Sequence, residues 1–224
     1  MDCAKCRINN KICRKPDGNG PQDCPTKAGR ESIDKSLTEY QKSENAQLAR
    51  MASVQEGECY AKKGEKPFAR HPVKPRLQEI IEFAQKMGYA KIGIAFCSGL
   101  SYEASILSDL LEKHGFEIVS VACKVGGIPK EKIGISENEK VNPGNFESMC
   151  NPISQANLLN EKSTELNIML GLCVGHDSLF LKYVEAPTTV FAVKDRVTGH
   201  NPLVSLYTLG SYSERFIKRN PEQW

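Results

Sequence analysis

The stretch KIGIAFCSGLSYEASILSDLLEKHGFEIVSVAC, residues 91–123, decides the fold. Its first part, Lys91–Cys97, is an apolar run typical of a buried strand, and Ser98–Gly99 form a turn. Apolar residues then recur at helical spacing over Tyr102–His114, and Phe116–Cys123 is a second apolar run. A strand, a helix and a strand in this order predict a βαβ unit with two parallel strands.

The same alternation continues on both sides of this unit. We predict a helix over Arg76–Met87 that ends at Gly88, and further strands over Leu166–Cys173 and Thr188–Val193. A long polar loop follows the second strand, and Pro152 lies in the first turn of the next helix. The sequence therefore predicts an α/β fold with a mostly parallel, Rossmann-like sheet flanked by helices. The order of the strands is not determined at this level.

Composition divides the chain into three segments. We expect a cysteine-rich module over residues 1–30, a helical stretch with a basic linker over residues 31–75, and the α/β domain over residues 76–224. The first segment is rich in Gly and Pro and has few apolar residues, so a hydrophobic core cannot hold it together.

Hydrophobic residues make up 40% of the 224 residues and charged residues 25%, which is typical of a globular protein and excludes collagen, a coiled-coil rod and a disordered tail. The apolar runs are far shorter than the roughly 18 residues of a membrane span, and no secretory leader opens the chain. We therefore expect a cytoplasmic protein without a membrane partner.

The net charge of +3 does not indicate nucleic acid as a partner. Residues 1–30 hold seven Lys or Arg and three Asp, so the positive excess lies in the cysteine-rich segment. There it can offset the charge of thiolates.

The first segment contains a Cys-x2-Cys pair followed by two more cysteines: Cys3, Cys6, Cys13 and Cys24. Four thiolates suit a tetrahedral metal ion, and a short segment without a core needs such a ligand to fold. The spacing matches neither common ferredoxin pattern, which favours zinc in a structural role over an iron–sulfur cluster. Four free thiols in an unstructured tail are the alternative.

A second group of cysteines follows from the predicted strands, three of which end at Cys97, Cys123 and Cys173. The carboxyl ends of parallel strands share one edge of a sheet, where open α/β folds place their sites. Cys150, at the start of a helix, points to the same edge. We expect these thiols to line one crevice, although a free cysteine is also a common small core residue.

The motif GLCVGHDSLF, residues 171–180, places Cys173, His176 and Asp177 on one face of a helix. Two roles fit this spacing. Either Cys173 and His176 ligate a soft metal, or Cys173 is a thiolate nucleophile with His176 as its base. Asp177 would orient the imidazole or cap the helix, and a glycine turn with a structural histidine is the alternative.

The motif KDRVTGHNP, residues 194–202, follows the last strand and belongs to the same edge. Here Lys194 and Arg196 are candidates to bind an anion, and His200 is a candidate to ligate a metal or transfer protons. A solvated charged turn is the alternative interpretation.

Taken together, these motifs resemble one family. They are the Cys-x2-Cys head, FCSGLSYEA, VACKVGG, MCNPISQANLLN, GLCVGHDSLF and KDRVTGHNP. Their combination resembles the DUF1847 family of prokaryotic proteins that are described only as predicted metal-binding proteins. The resemblance implies metal binding and leaves the reaction open.

We therefore expect a cytoplasmic metal-binding protein with a four-cysteine zinc-type site and a Cys/His-rich crevice. A cysteine-dependent enzyme that uses Cys173 and His176 on a small anionic substrate is the alternative, as are an iron–sulfur redox protein and a sensor. The sequence does not decide whether the protein is an enzyme, nor its oligomeric state.

Overall fold

The computed structural model describes residues 2–67 and 69–218. Its chain forms two compact units, Met1–Val73 and Lys74–Trp224, and each is considered by itself below. The division into three segments at residues 30 and 75 stays a prediction. None of the helices in the described part of the chain is long and apolar enough to cross a membrane.

The first unit is helical with one short hairpin. Its elements are a 3-10 turn at Cys3–Lys5, helices α1 (Pro25–Ala28), α2 (Arg30–Glu39) and α3 (Ser43–Glu58), and the antiparallel strands β1 (Tyr60–Ala61) and β2 (His71–Pro72). The predicted helical stretch is broken at residues 40–42, where Asn45 Nδ2 donates to Glu39 O at 3.1 Å. This carbonyl at the end of α2 also accepts from Lys42 N at 3.2 Å, so the Asn45 side chain is its second donor.

The second unit is an α/β domain. Its strands are β3 (Lys91–Phe96), β4 (Glu117–Ala122), β5 (Leu166–Leu172) and β6 (Thr188–Val193). Its helices are α4 (Arg76–Met87), α5 (Ser101–Lys113), α6 (Pro152–Glu161), α7 (His176–Tyr183) and α8 (Leu203–Tyr207), with 3-10 turns at Ser98–Leu100, Lys130–Ile133, Glu137–Glu139 and Glu214–Ile217. The strands form one sheet in the order β4-β3-β5-β6, and all pairs are parallel. This confirms the predicted α/β class.

Two apolar layers flank the sheet because successive strand residues point to opposite faces. On one face, Ile81 of α4 and Leu107 of α5 pack with Ile94 of β3. On the other face, Leu159 of α6 and Phe180 of α7 pack in a second cluster. Helices therefore cover both faces, as a parallel sheet requires.

Ion pairs and backbone hydrogen bonds hold the long loop between β4 and α6 in place. The Lys140 side chain is only 2% exposed and its ammonium forms ion pairs with Glu131 and Glu137. These partners raise the pKa of Lys140 and lower the pKa of both carboxyls, mainly through direct hydrogen bonds. Further along, Met149 N donates to Ile128 O at 2.7 Å, which returns the chain to the sheet.

Candidate functional site

The backbone holds three of the predicted site residues at the carboxyl edge of the sheet. Cys97 N donates to Leu170 O at 3.0 Å, Cys123 N to Phe96 O at 2.8 Å, and Lys194 N to Leu172 O at 3.0 Å. Strands β3 and β4 end one residue earlier than predicted, at Phe96 and Ala122, whereas β6 ends at Val193 as predicted. In all three strands the sheet bonding continues through the next residue. The first residue beyond each strand is therefore held in register with its neighbour.

The strand order determines where a ligand can enter this edge. From β3 the chain crosses to β4 on one side, while β5 lies on the other side of β3. Open α/β sheets bind ligands where the connections diverge in this way, outside the carboxyl ends of the strands. Cys97 follows β3 and Cys173 follows β5, so both cysteines lie at this divergence.

Cys123 and Cys150 form a pair of thiols at this edge, with 3.9 Å between their sulfur atoms. Ser98 N donates to Cys123 Sγ at 3.3 Å, and the Ser98 hydroxyl lies 3.6 Å from the same sulfur. The Cys97 side chain also contributes to lowering the pKa of Cys123. Cys123 is 3% exposed, whereas Cys150 is partly exposed.

These contacts shift the pKa values of the two thiols in opposite directions. The hydrogen bond from Cys150, supported by those from Ser98, lowers the pKa of Cys123 to about 5. The pKa of Cys150 is raised, because its S–H donates to the Cys123 sulfur and a second thiolate beside the first would be repelled. The pair therefore holds one proton over a wide pH range.

Cys173 lies beside a cation. Arg196 Nη2 approaches its sulfur to 3.2 Å, and the thiol is partly exposed. Cys173 is also close enough to Cys150 to act on it electrostatically. The four cysteines that follow the strands or precede α6 thus share one edge of the sheet, as predicted from their positions.

Lys194 lies at the same edge of the sheet. A Cβ built on Gly99 would lie 3.7 Å from Lys194 Nζ and 3.9 Å from Cys97 Sγ. The ammonium and the thiol therefore border the same small space above the turn after β3. Together with Arg196, this places two cations among the thiols.

Neither of the two predicted histidines forms a side-chain hydrogen bond to a thiol in the described residues. His176 begins α7, and its backbone N–H donates to Cys173 O at 3.0 Å. In the described residues its ring makes no hydrogen bond or ion pair. His200 Nδ1 accepts from Asp195 N at 3.1 Å and closes a turn, so that ring supports the loop that carries Arg196.

Three contributors to the crevice were missed by sequence reasoning. Ser98 bonds the Cys123 sulfur, and Lys124 reaches Ser148 O across the base of the long loop. Gln155 is fully buried and donates to Phe96 O at 3.2 Å and to Val121 O at 2.7 Å. Its position among the apolar residues of α6 is the one signal that could have identified it, because a buried amide needs partners.

Four cysteines of the first unit, Cys3, Cys6, Cys13 and Cys24, line one cavity of about 400 Å³. A hydrogen bond from Cys6 N to Cys3 O at 3.2 Å shapes the Cys-x2-Cys turn, and Cys24 caps α1. No residue between 2 and 30 is buried. Among the described residues no group of three or more Cys, His, Asp or Glu is arranged to hold a metal ion, so the four sulfurs share a cavity without forming a closed tetrahedron.

Comparisons with known proteins identify the relatives of the chain. A family model described as "Protein of unknown function (DUF1847)" matches residues 24–191. An uncharacterised protein of Methanocaldococcus jannaschii is 46% identical over 208 residues, which cover 93% of this chain and 94% of that protein. No solved structure matches the chain significantly.

Proposed function

Since the chain belongs to the DUF1847 family, whose description assigns no reaction, we propose a function from its geometry: it is a metal-binding protein whose α/β unit carries a thiol-dependent active site for a small anionic substrate. The observation that carries the active site is the 3.2 Å contact between Arg196 Nη2 and Cys173 Sγ at the divergence of the strands. The His176 partnership is replaced in this proposal by Arg196.

The thiolate is the nucleophilic form of a cysteine. Arg196 stays charged at every relevant pH, and its Nη2 donates toward the Cys173 sulfur without accepting a proton from it. Because Cys173 is partly exposed, a substrate can reach its sulfur. Lys194, on the neighbouring strand end, supplies a second positive charge that would hold an anionic group of the substrate near that sulfur.

The first unit supports the metal-binding part of the proposal. Cys3, Cys6, Cys13 and Cys24 line one cavity, and residues 2–30 include no buried residue that could form a core. Thiolate donors fit zinc, and four of them leave no open position for catalysis. We therefore assign Cys3, Cys6, Cys13 and Cys24 to a structural ion, whose binding would draw the sulfurs together.

The active-site proposal is tested by the charge preference of Cys173. Iodoacetate is anionic and iodoacetamide is neutral, and alkylation of the tryptic peptide 163–182 reports on Cys173 alone. We expect Arg196→Met to lower the ratio of the iodoacetate rate to the iodoacetamide rate by about tenfold. Arg30→Met is the matched control, because Arg30 is exposed and pairs with Asp34 in the first unit.

An unchanged ratio in the Arg196→Met protein would show that Arg196 does not direct anions to Cys173, and the active site would have to be abandoned. Iron and sulfide in protein purified without oxygen, together with a visible chromophore, would also overturn the proposal in favour of an iron–sulfur redox protein.

A further inference from the structure

The contact between Cys123 and Cys150 has no role in the chemistry assigned to Cys173. Its two sulfurs lie 3.9 Å apart although 27 positions separate the residues along the chain. One sulfur is partly exposed and the other is buried, so a substrate in the crevice meets Cys150 first.

Hydrogen bonds of the neighbouring residues hold the backbone of both cysteines in place. Asn151 N donates to Cys123 O at 2.7 Å, which joins the residue after one cysteine to the other cysteine. Asn151 Oδ1 then accepts from Ser154 N at 3.1 Å and caps α6. Gln155, in the first turns of α6, bonds the carbonyls of Phe96 and Val121 at the ends of β3 and β4. Neither sulfur therefore depends on a mobile segment for its position.

We propose that Cys123 and Cys150 form a redox-active dithiol that reduces a small organic disulfide and closes to a Cys123–Cys150 disulfide. A disulfide bond is about 2 Å long, so the sulfurs must approach each other by about 2 Å more. Rotation of the two side chains supplies that distance while the backbone hydrogen bonds stay in place.

The reaction balances with the substrate as oxidant. Cys150 attacks one sulfur of the substrate, its proton passes along the existing hydrogen bond toward Cys123, and the first substrate thiolate leaves. The Cys123 sulfur then attacks Cys150 in the mixed disulfide, and the second substrate thiol leaves with a proton. The pair loses two electrons and its one proton, and the substrate disulfide leaves as one thiolate, which takes a proton from water, and one thiol.

A cavity of about 310 Å³ lies next to α6, beside the segments that carry the pair. Its lining includes Val125, two positions after Cys123, and Asn151, which follows Cys150, but neither cysteine. Ile128 and Leu158 make part of the wall apolar, and Ser154 and Glu161 make part of it polar. A cavity of this size admits an organic disulfide of low molecular weight.

The test uses the full chain equilibrated with reduced and oxidised dithiothreitol at varied ratios, followed by acid quenching and alkylation. Trypsin places the four crevice cysteines on separate peptides, with Cys123 on residues 114–124 and Cys150 on residues 141–162. We expect a disulfide-linked pair of these two peptides whose amount follows the redox ratio. A linkage of Cys150 to Cys97 or to Cys173 instead, or no linkage at any ratio, would overturn the proposal.

The variant Cys123→Ser separates the attack by Cys150 from the resolution by Cys123. When the wild type reacts with an aromatic disulfide that releases a coloured thiolate, we expect the pair to end as a Cys123–Cys150 disulfide that carries no adduct. In Cys123→Ser the second step is lost, so we expect a stable mixed disulfide on peptide 141–162 and half the thiol release from this pair. Cys59→Ala is the control, because Cys59 is buried in the first unit, and it should behave as the wild type. A stable adduct on Cys150 in the wild type would contradict the resolving role of Cys123.

Discussion

Gly93 of β3 lies directly opposite Asn167 of β5, and a Cβ at position 93 would approach Asn167 Oδ1 to 2.0 Å. Asn167 is fully buried, and its Oδ1 accepts a hydrogen bond from Thr164 Oγ1 at 2.8 Å. The missing side chain at position 93 therefore makes room for a buried amide between the two central strands.

This relationship predicts the effect of Gly93→Ala on stability. The added methyl must displace either the amide or the strand, and we expect the free energy of unfolding to fall by about 2–4 kcal/mol. Urea denaturation measures the loss. Gly210→Ala is the matched control, because a Cβ there meets nothing within 4 Å, and it should unfold like the wild type. Equal midpoints for both variants would contradict the close approach.

The Cys123 thiol should titrate near pH 5. Its pKa is lowered by Cys150 and Ser98, so the ultraviolet absorbance of a thiolate should appear with a midpoint near 5. In Cys150→Ser this midpoint should rise toward the ordinary 9.0, because the largest cause of the lowering is reduced. A midpoint near 5 that survives in Cys123→Ser would assign it to another thiol.

The same pair predicts how stability depends on pH. Between about pH 5 and 9 the folded protein has lost a proton that the unfolded chain retains at Cys123, so the free energy of unfolding should rise with pH. This contribution is lost as the pH falls through 5. Above pH 9 the raised pKa of Cys150 acts in the opposite direction, since the folded protein keeps its proton. Urea midpoints of the wild type and of a Cys123→Ser, Cys150→Ser double variant should therefore diverge across this range.

Gln155 is expected to position the thiols as well as to stabilise α6. In Gln155→Leu the carbonyl of Val121 loses its side-chain donor, which should cost about 1 kcal/mol. We also expect a smaller fraction of Cys123–Cys150 disulfide at a given ratio of oxidised to reduced dithiothreitol. Gln78→Leu removes an exposed hydrogen bond to Glu82 and serves as the control. An unaltered disulfide fraction would limit Gln155 to a structural role.

Metal removal should act on the first unit. We expect about one zinc per chain in the wild type, retention of zinc in Cys59→Ala, and its loss in Cys13→Ser. Chelation should accelerate tryptic cleavage at the seven Lys and Arg of residues 1–30, since no buried side chain holds this segment together. Cleavage at the same rate with and without chelator would refute the four-cysteine site.

The long loop should depend on Lys140. At neutral pH, Lys140→Met leaves Glu131 and Glu137 without their ammonium partner, and proteolysis between residues 130 and 147 should accelerate. The carboxyl pKa values are lowered, so the ion pairs persist below the ordinary 4.5 and are lost as the pH falls further. The raised pKa of Lys140 preserves them beyond its ordinary 10.5 at the alkaline end. A variant that is cleaved like the wild type at pH 7 would contradict this role.

Part of the candidate site could be predicted because the signals are local. A strand residue and the cysteine that ends its run are neighbours in the chain, so the position of Cys97, Cys123 and Cys173 at one sheet edge followed from three apolar runs. Gly88 was predicted to end α4 and has a φ of 74°, the left-handed conformation that glycine adopts readily. The bounds of β6, Thr188–Val193, were predicted from the same kind of local pattern.

The partners of those thiols could not be predicted in the same way. Arg196 and Cys173 are 23 positions apart, and Gln155 reaches carbonyls that lie 34 and 59 positions earlier. Sequence spacing suggested His176 for Cys173, because periodicity describes one helix at a time. The contact with Arg196 depends on how a turn after β6 folds back over β5, which spacing within a helix does not encode.

The sequence by itself therefore determined the α/β class, the parallel strands and the set of cysteines at their carboxyl ends. These follow from side-chain periodicity and from turn residues, which act over a few positions. The tertiary structure alone decided the order β4-β3-β5-β6, the 3.9 Å approach of Cys123 to Cys150 and the pairing of Cys173 with Arg196. Strand order depends on the paths of long crossover connections, and only those paths decide which sulfur and which cation meet.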